Sequence, residues 1–378
     1  MKIKTVAMPE DRMNESHYLS AYWKKMFRTA SEKSVSDIHI EPNEPEPGKM
    51  AVRFGIMNSL IIYDIISDSD TIPSYLNRLE YICGLDVTRK HVRQDRSIEL
   101  PSFKSRYRVS YGPPSSMDPE SIVFRVIEEK ALPDLDRCYL PGHFEQDLKE
   151  FLKMEQGFFI TTGPTGSGKS TTCQAALMSI DRKTKKVISL EDPVERSLPW
   201  VRQYEITPTF SWEEGISTIL RQKPVVCLIG EIRDSKSGFA ALEAANKGHL
   251  VISTLHANSV SDTYKQLIKK FKFDYLDIQS VSLCAAQRLV QILCPHCRVK
   301  NMERGQYRKG QGCDMCQHLV PGVSGLRPIF EHCFRPTEDD VEEFRQSGIF
   351  PVRSTLRQEL RKLIDQGLAD YTTENMFG

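Results

Sequence analysis

The sequence lacks a long apolar run, a large excess of one charge, an internal repeat and a low-complexity tract. Its longest apolar stretches, such as Phe158 to Ile160 and Val225 to Ile229, have only the length of strands. The first ten residues contain no apolar segment of the kind that a secretory signal peptide carries. We therefore expect neither a signal peptide nor a membrane span, and we expect a cytoplasmic chain.

Basic and acidic residues nearly balance, with 51 Lys and Arg against 50 Asp and Glu, so the formal net charge is +1. This balance does not favour a nucleic-acid partner, because such partners usually select a basic face or stripe. Apolar residues make up 40% of the chain and charged residues 27%, which is typical of a folded protein. At 378 residues the chain is too long for one ordinary core, and we expect two domains.

Local patterns predict where the two domains meet. Short apolar runs and a helical stretch from Ile72 to Cys83 predict a small α+β domain over residues 1–135. A proline-containing linker is predicted over residues 136–145, and a second domain over residues 146–378 with a charged helical region at 335–378. We read the whole chain as α/β in class.

The second domain shows apolar strands alternating with helices, which predicts a parallel sheet covered by helices. The predicted strands lie near residues 157–162, 186–191, 225–230 and 250–255. The predicted helices begin near Ser170, Ser211, Ser235 and Ser259. Two of these starts carry a serine followed three residues later by an acid, Glu214 or Asp262, a pattern typical of a capped helix N-terminus.

The most specific motif is Gly163-Pro-Thr-Gly-Ser-Gly168-Lys169-Ser170, which fits G-x-x-x-x-G-K-[ST] between an apolar strand and a helix. Its glycines let backbone amides point at the β- and γ-phosphates of a nucleotide. Lys169 adds a positive charge there, and the Ser170 hydroxyl is a ligand for Mg²⁺. A glycine-rich turn that binds nothing is the alternative, which the strand and helix on either side disfavour. The predicted nucleotide contacts in this loop are Gly163, Pro164, Thr165, Gly166, Ser167, Gly168, Lys169, Ser170 and Thr171.

Acidic residues follow two other predicted strands, and phosphoryl transfer needs carboxylates near Mg²⁺ and the attacking water. Glu231 follows one strand, and Glu191, Asp192 and Glu195 follow the other. Strand ends on one side of a parallel sheet meet at one crevice, although each acid alone could equally be a helix cap or a solvated turn. His256 ends a further strand, where it could contact a γ-phosphate, but a lone histidine is more often structural.

These segments together resemble the type II secretion and type IV pilus ATPases, secretion NTPases with a RecA-like P-loop core. Residues 188–195 (Ile-Ser-Leu-Glu-Asp-Pro-Val-Glu) resemble the Asp box of that family, and residues 227–234 (Cys-Leu-Ile-Gly-Glu-Ile-Arg-Asp) its Walker B segment. Residues 248–258 resemble its His box. Upstream, residues 36–42, 94–96 and 105–110 resemble its N-terminal PAS-like domain.

The resemblance implies roles for particular residues. Glu195 would orient or deprotonate the attacking water, Glu231 would hold the Mg²⁺ shell, and His249 and His256 would sense phosphate and contact neighbouring subunits. Arg106, Arg108 and Arg125 would reach the nucleotide from the N-terminal domain; without the resemblance they read as surface arginines. The family also implies a homo-hexamer that uses ATP and Mg²⁺ and serves an inner-membrane platform protein, with only peripheral association with that membrane.

Four of the ten cysteines form two Cys-x-x-Cys pairs, Cys294 with Cys297 and Cys313 with Cys316, separated by fifteen residues. Four thiolates at this spacing can surround Zn²⁺ tetrahedrally, and a pair of redox dithiols is the alternative. The segment 294–316, after Ala286-Gln-Arg-Leu-Val290, also resembles the tetracysteine module of the secretion and pilus assembly branch, a zinc insertion in the core. Retraction and conjugation motors typically lack this module, which favours an assembly motor over them.

Three departures from the family pattern bear on function. Lys223 and Val225 stand where relatives usually carry aspartates, which bears on the electrostatics of the Mg²⁺ site and on turnover. They also keep open the alternative of a catalytically weak hexameric scaffold. The segment between the cysteine pairs is shorter than in most relatives, and the chain begins close to the second N-terminal domain, so the extra domain that docks on inner-membrane partners is expected to be missing.

Overall fold

The structure is a computed structural model that describes residues 21–43, 46–68, 72–89, 92–100, 103, 105–112, 120–128, 134–316 and 320–375. The N-terminal stretch on which we predicted no signal peptide lies outside these residues. The main boundary between two compact units falls between residues 130 and 131. Within the described ranges, no helix combines the length and the apolar character needed to cross a bilayer.

Within its described residues, the first unit consists of an antiparallel sheet and two helices. Its helices are α1 (Ala21–Glu32) and α2 (Ile72–Ile82). Its strands are β1 (Asp37–Pro42), β2 (Met50–Ile56), β3 (Ser59–Ile66), β4 (Gln94–Leu100), β5 (Ser105–Gly112) and β6 (Ser121–Glu128). They form one six-stranded sheet in the order β3-β2-β1-β6-β5-β4. The predicted α+β character of this region and its helix at residue 72 are present.

One face of this sheet is covered by α1. Trp23, Met26 and Phe27 are fully buried on the helix, at the spacing that places side chains on one helical face. The Phe27 ring lies 5.4 Å from that of Phe124 and 5.2 Å from that of Tyr107, both on the sheet. Each such aromatic side chain contributes roughly 1.5–3 kcal/mol by leaving water. Burial of these side chains therefore anchors α1 on this face of the sheet.

The second unit is built on a larger sheet. Its strands are β7 (Gly157–Thr162), β8 (Val187–Glu191), β9 (Val201–Glu205), β10 (Val226–Ile229), β11 (Leu250–Leu255), β12 (Leu283–Leu293) and β15 (Val323–Phe334). A short hairpin, β13 (Val299–Lys300) with β14 (Tyr307–Arg308), stands apart from it. The order is β15-β12-β7-β11-β10-β8-β9, parallel throughout except for the antiparallel edge strand β15.

The described part of this unit adds eight helices: α3 (Gly142–Phe151), α4 (Lys169–Met178), α5 (Trp212–Arg221), α6 (Ser235–Asn246), α7 (Val260–Lys269), α8 (Tyr275–Gln279), α9 (Glu338–Ser347) and α10 (Leu356–Asp365). Short 3₁₀ turns cover Leu135–Arg137, Asp314–Cys316 and Tyr371–Thr373. The predicted caps are confirmed: Ser211 and Glu214 form a reciprocal capping box, and Ser259 Oγ accepts from Asp262 N at 3.0 Å.

Successive residues of the central strands alternate between two cores, one on each sheet face. Phe158 and Ile160 belong to one core and Phe159 to the other, and all three are fully buried. A strand that is covered on both faces has a continuous run of apolar residues. This explains why β7, β8, β10 and β11 could be predicted from the sequence. The four predicted strands and the parallel sheet are confirmed.

Two predictions need correction. Part of the expected linker is helical, because α3 begins at Gly142 with Pro141 as its N-cap residue and buries Phe144 and Leu148. The sheet is also wider than predicted, since β9, β12 and β15 extend it on both sides. Near the end of the long β12–β15 pair, Ser324 is an extra residue on β15, and its hydroxyl lies 3.3 Å from the carbonyl oxygens of Ile292 and Leu293.

Candidate active site and metal centre

The predicted phosphate loop connects the carboxyl end of β7 to the start of α4. Gly168 is the N-cap residue of α4 and has a φ of 87°, a left-handed conformation that glycine adopts without strain. A Cβ placed on Gly168 would lie 2.7 Å from Nε2 of the buried Gln287, so a larger residue there would displace the Gln287 side chain. Thr165, Ser170 and Thr171 are exposed, so the loop and the first helical turn present hydroxyls and backbone to solvent.

Lys169 is folded back onto this loop. Its Nζ donates to Gly163 O at 2.7 Å and to Pro164 O at 2.9 Å, and its side chain is largely buried. Burial lowers the pKa of the ammonium, while the nearby Glu231 carboxylate acts in the opposite direction. An anion placed in the loop would draw Nζ away from these carbonyls, since a charged acceptor makes the stronger hydrogen bond.

The acid of the Walker B segment is held by an arginine two residues further on. Arg233 Nε donates to Glu231 Oε2 at 2.9 Å, and Arg233 Nη1 donates to Asp192 Oδ2 at 2.8 Å. The guanidinium also lies 5.7 Å from the ring of Trp212. Arg233 therefore ties the segments after β10 and β8 together and fixes the Glu231 carboxylate.

His256 connects this acid to the phosphate loop. Its Nδ1 lies 3.1 Å from Gly163 O, and its Nε2 lies 3.5 Å from Glu231 Oε1. Both ring nitrogens therefore face oxygen acceptors, one in the phosphate loop and one on the Walker B acid. The structure thus brings Gly163, Lys169, Glu231 and His256 to one place, at the carboxyl edge of the sheet.

The other predicted acids lie after β8. Glu191 is buried, and its Oε1 accepts from Ser189 Oγ at 2.7 Å and from Gln203 Nε2 at 3.0 Å. Burial raises the pKa of Glu191, and the charge of Glu195 adds to the rise. Gln203 also binds Arg196 O, so Glu191 anchors the loop that carries the exposed Glu195. Direct contact of Glu191, Asp192 or Glu195 with a nucleotide stays a prediction.

His249, Lys223 and Val225 lie at the other end of the sheet, where the parallel strands begin. His249 precedes β11, its carbonyl accepts from Gly157 N, and its Nδ1 lies 2.7 Å from Pro224 O. Strand β7 separates this position from the phosphate loop by about 20 Å, at about 3.3 Å per residue. Within one chain His249 therefore does not reach the loop, and only its contact with neighbouring subunits stays a prediction.

Lys223 and Val225 occupy the same opposite edge, because Val225 N donates to Lys186 O and Val225 O accepts from Leu250 N at the beginnings of three strands. The two departures therefore lie at the other end of the strands from Gly163 and Glu231, and their effect on the Mg²⁺ site and on turnover stays a prediction. The parallel direction of β10 places Glu231 at one end of the strand and Val225 at the other.

The predicted arginines share one face of the sheet in the first unit. Arg106 and Arg108 alternate along β5, and Arg108 pairs directly with Arg125 on β6. Arg125 Nε donates to Asp37 Oδ1 at 3.1 Å. Glu99 lies directly opposite Arg106 on β4, so this face carries acids beside the arginines, and the approach of the arginines to a nucleotide stays a prediction.

Sequence reasoning missed two residues of the site. Arg233 lies in the Walker B segment, but we predicted no role for it. Its position two residues after Glu231 is the feature of the sequence that could have indicated this contact. Gln287 lies on β12 beneath the phosphate loop, more than a hundred residues from it in sequence, and no local pattern indicated that contact.

The four predicted metal-binding cysteines form one cluster. Their Sγ atoms all lie within 4.8 Å of one another, and those of Cys294 and Cys313 are 3.7 Å apart. Four Zn–S bonds of about 2.3 Å in a tetrahedron would separate the sulfurs by about 3.8 Å, so the donor set fits Zn²⁺. None of the four is in a disulfide.

The cluster is held at the end of β12 by tight backbone packing. Cys294 N donates to Gly322 O, and Arg298 N donates to Cys294 O. A Cβ placed on Gly310 would lie 1.8 Å from Cys297 O, so the chain can pass the second cysteine only with glycine at this position.

The strand, loop and helix around Gly163, with acids and a histidine at neighbouring strand ends, define a P-loop NTPase of the RecA-like α/β class. Residues 12–375 match the family described as "Type II/IV secretion system protein". The chain belongs to this family of secretion and pilus ATPases.

Individual relatives agree with this assignment. The chain is 30% identical over 363 residues to type II secretion system ATPase E of Vibrio cholerae, covering 91% of this chain and 70% of the relative. It is 30% identical over 319 residues to the type IV pilus assembly ATPase PilB of Thermus thermophilus, covering 78% of this chain and 35% of the relative. The structure of the ATPase DotB of Legionella pneumophila is similar in fold, with a TM-score of 0.69, 21% identity and coverage of 100% and 99%.

Proposed function

We propose that this chain is a Mg²⁺-dependent ATPase that converts ATP to ADP and phosphate, and that it drives type II protein secretion or type IV pilus assembly. The observation that carries the proposal is the convergence of Lys169, His256 and Glu231 on the carboxyl end of β7. Lys169 and His256 both contact Gly163 O, and Glu231 lies 3.5 Å from His256.

We assign these residues the following roles. The loop amides and the N-terminus of α4 bind the β- and γ-phosphates, and Lys169 neutralises their charge. Ser170 and Glu231 are the residues that would hold Mg²⁺, which supplies further neutralisation of the phosphate oxygens. Glu195 orients the attacking water, and His256 reports whether a γ-phosphate is present by exchanging its contact with Gly163 O.

The proposed working unit is a homo-hexamer, cytoplasmic and peripheral at the inner membrane, where it acts on a platform protein of the secretion or pilus machine. Arginines of the first unit, Arg106, Arg108 and Arg125, supply positive charge to the transferring phosphoryl group, a task suited to a guanidinium. The cluster of four cysteines, which fits zinc, supports an assembly or secretion motor over a retraction motor.

Purified protein tests the enzymatic part. We expect Lys169→Ala to abolish ATP hydrolysis and to weaken nucleotide binding severely, because a methyl group cannot neutralise β/γ-phosphate charge. Lys183→Ala, at an exposed lysine beyond the end of α4, is the matched control and should turn over at the wild-type rate. Near wild-type turnover by Lys169→Ala would refute the assignment of this loop as the active site.

The machine is tested in the parent organism. Deletion of the gene should remove surface fibres or block export of a protein, and expression of the wild-type chain should restore the loss while Glu231→Gln should not. Loss of neither fibres nor export on deletion would refute the proposed machine and leave the ATPase assignment standing.

A further inference from the structure

The segment Ala286-Gln-Arg-Leu-Val290 of β12 lies beside β7 and carries a buried amide under the phosphate loop. Gln287 is 1% exposed, and its Oε1 accepts from Thr172 Oγ1 of α4 at 3.0 Å. Its backbone oxygen would lie 2.6 Å from a Cβ on Gly163, and its Nε2 2.7 Å from a Cβ on Gly168. Gln287 therefore contacts both ends of the loop and the helix that follows it.

The next residue contacts the loop that follows His256. Arg288 Nη2 donates to Asn258 O at 2.9 Å and lies 3.3 Å from Asn258 Oδ1, while its Nη1 donates to Gln287 O at 3.0 Å. The side chain is half-buried. Asn258 is two residues beyond His256, so Arg288 fixes the backbone that orients the imidazole.

These two contacts lie on opposite faces of one strand. Consecutive side chains of a strand point to opposite faces, which is why neighbouring residues can reach α4 on one face and the segment before α7 on the other. The two preceding residues also lie on opposite faces of the strand. Ala285 belongs to the core that contains Ala176 of α4. Ala286 belongs to the core that contains Val260 of α7.

We infer that Gln287 and Arg288 are positioning residues of the ATPase site, with Gln287 holding the phosphate loop in its binding shape and Arg288 holding the loop that carries His256. The inference rests on the proposed function for the identity of the nucleotide and the reaction. Neither side chain needs to touch the nucleotide for this role, because each acts through backbone that does.

The two roles predict separable defects. Gln287→Leu keeps the volume but leaves Thr172 Oγ1 without its acceptor, so the loop loses its support and ADP affinity falls by about tenfold. Arg288→Lys keeps the charge but loses the planar fork, so kcat falls by about tenfold while ADP affinity stays within about twofold.

The first measurement is amide hydrogen exchange of residues 163–172 without nucleotide, together with titration of a fluorescent ADP analogue. Gln287→Leu should speed exchange in this segment and weaken ADP binding. Gln291→Leu is the matched control, since it makes the same change on the same strand four residues further from the loop, and it should do neither. Unchanged exchange and ADP affinity in a folded Gln287→Leu protein would overturn the inference for Gln287.

A second variant covers the case in which Gln287→Leu does not fold. Gln287→Glu keeps the acceptor for Thr172 and places a negative charge beside the loop, so it should also weaken ADP binding. A double-mutant cycle of Gln287→Leu with Thr172→Val adds a direct test of the contact wherever Gln287→Leu folds, because Thr172→Val should cost little once the acceptor has been removed. Additive losses in the cycle, or wild-type ADP affinity in Gln287→Glu, would overturn the contact as the cause.

Steady-state kinetics of Arg288→Lys test the role of Arg288. A fall in kcat at unchanged ADP affinity supports the role at the His256 loop, whereas equal losses in both, or no loss, would overturn it. Failure of the proposed function looks different: wild-type protein would then show no ATP turnover, yet exchange in residues 163–172 would still depend on Gln287.

Discussion

At the scale of single residues, the site depends on side chains that hold other side chains. Arg233 contacts the carboxylates of both Glu231 and Asp192, so its charge and its shape set where these acids lie. Burial acts to lower the pKa of its guanidinium, but the two carboxylates outweigh it and the pKa rises. Arg233 is therefore charged throughout the accessible pH range and gives a permanent clamp.

We expect Arg233→Gln to lower kcat by about tenfold to a hundredfold, because a displacement of a catalytic group by about 1 Å has effects of that size. ADP affinity should change little, since the phosphate loop does not contact Arg233 directly. Steady-state ATPase assays give the result, with Arg202→Gln on the edge strand β9 as the control. Wild-type kcat in Arg233→Gln would show that Glu231 needs no clamp.

Local rules of sequence indicate candidate site residues, but they do not indicate the contacts among those residues. Lys169 and Ser170 follow from a motif whose spacing is fixed by one turn of backbone, and Glu231 and His256 follow from the rule that parallel strand ends meet. Gln287 could not be predicted in this way. Its contact with Thr172 depends on β12 lying next to β7, and that adjacency is a property of the whole sheet.

At the scale of elements, α3 and β15 meet through a pair of histidines, the buried His332 and the half-buried His143. His332 Nε2 lies 2.7 Å from Asp147 Oδ2, and the His143 ring stacks on the His332 ring with centroids 5.3 Å apart. Burial lowers the pKa of both histidines, although Asp147 acts against the shift at His332 and Glu359 acts against it at His143. Lys362 and Arg353 also face the pair and favour its neutral form.

This pair predicts a loss of stability on acidification. Because the folded state lowers both pKa values, the unfolded chain binds more protons below about pH 6.5, and stability present above that pH is lost as the pH falls. Thermal unfolding midpoints between about pH 5.5 and 7.5 should therefore fall less in the double variant His143→Gln, His332→Gln than in the wild type. Equal pH dependence in the two proteins would contradict the prediction.

The metal centre is a second element-scale feature. We expect about one equivalent of zinc per chain in protein purified without added metal, measured by elemental analysis. Cys313→Ser should lose the zinc and lower the melting temperature, because the cluster joins the ends of β12 and β15. Cys138→Ser, at a half-buried cysteine outside the cluster, should keep the full equivalent. A folded, active wild-type protein without zinc would refute the assignment.

The elements that escaped prediction have weak local signals. Strand β12 contains Gln287, Arg288 and Gln291 among its apolar residues, and β15 contains Gly325 and Pro328, so neither reads as a continuous apolar run. The two strands are specified by their eleven-residue antiparallel pairing with each other, a long-range interaction. The start of α3 was hidden for another reason, since Pro141-Gly142 is typical of a turn and here precedes a helix.

At the scale of the whole molecule, the proposed hexamer makes its own prediction. Replacement of Arg106, Arg108 or Arg125 by alanine should slow turnover much more than it weakens ATP affinity, by about a thousandfold for an arginine that contacts the γ-phosphoryl group. Arg28→Ala, at an exposed arginine on α1, is the control. Wild-type turnover in all three variants would show that the first unit takes no part in the chemistry.

A mixing experiment separates action within a subunit from action between subunits. We expect each affected arginine variant, and Lys169→Ala, to be nearly inactive alone. If the arginine acts on a neighbouring subunit, mixed hexamers of the two variants regain part of the activity, because some interfaces then combine an intact loop with an intact arginine. Absence of any recovery on mixing would assign the arginine to its own subunit.

Strand β12 carries both the support of the phosphate loop at Gln287 and, directly after its last residue, the first cysteine of the metal cluster. Seven residues at about 3.3 Å each place these two positions about 23 Å apart on one stiff spacer. Losing or gaining one residue within this spacer would turn Cys294 to the other side of the sheet, whereas a change of two residues would only shift it along the strand. Whether the number of residues in this spacer is odd or even is therefore constrained more tightly than which residues it contains. An exchange of metal modules between relatives should succeed only when the junction keeps an odd number odd, or when it adds a compensating bulge like the one at Ser324.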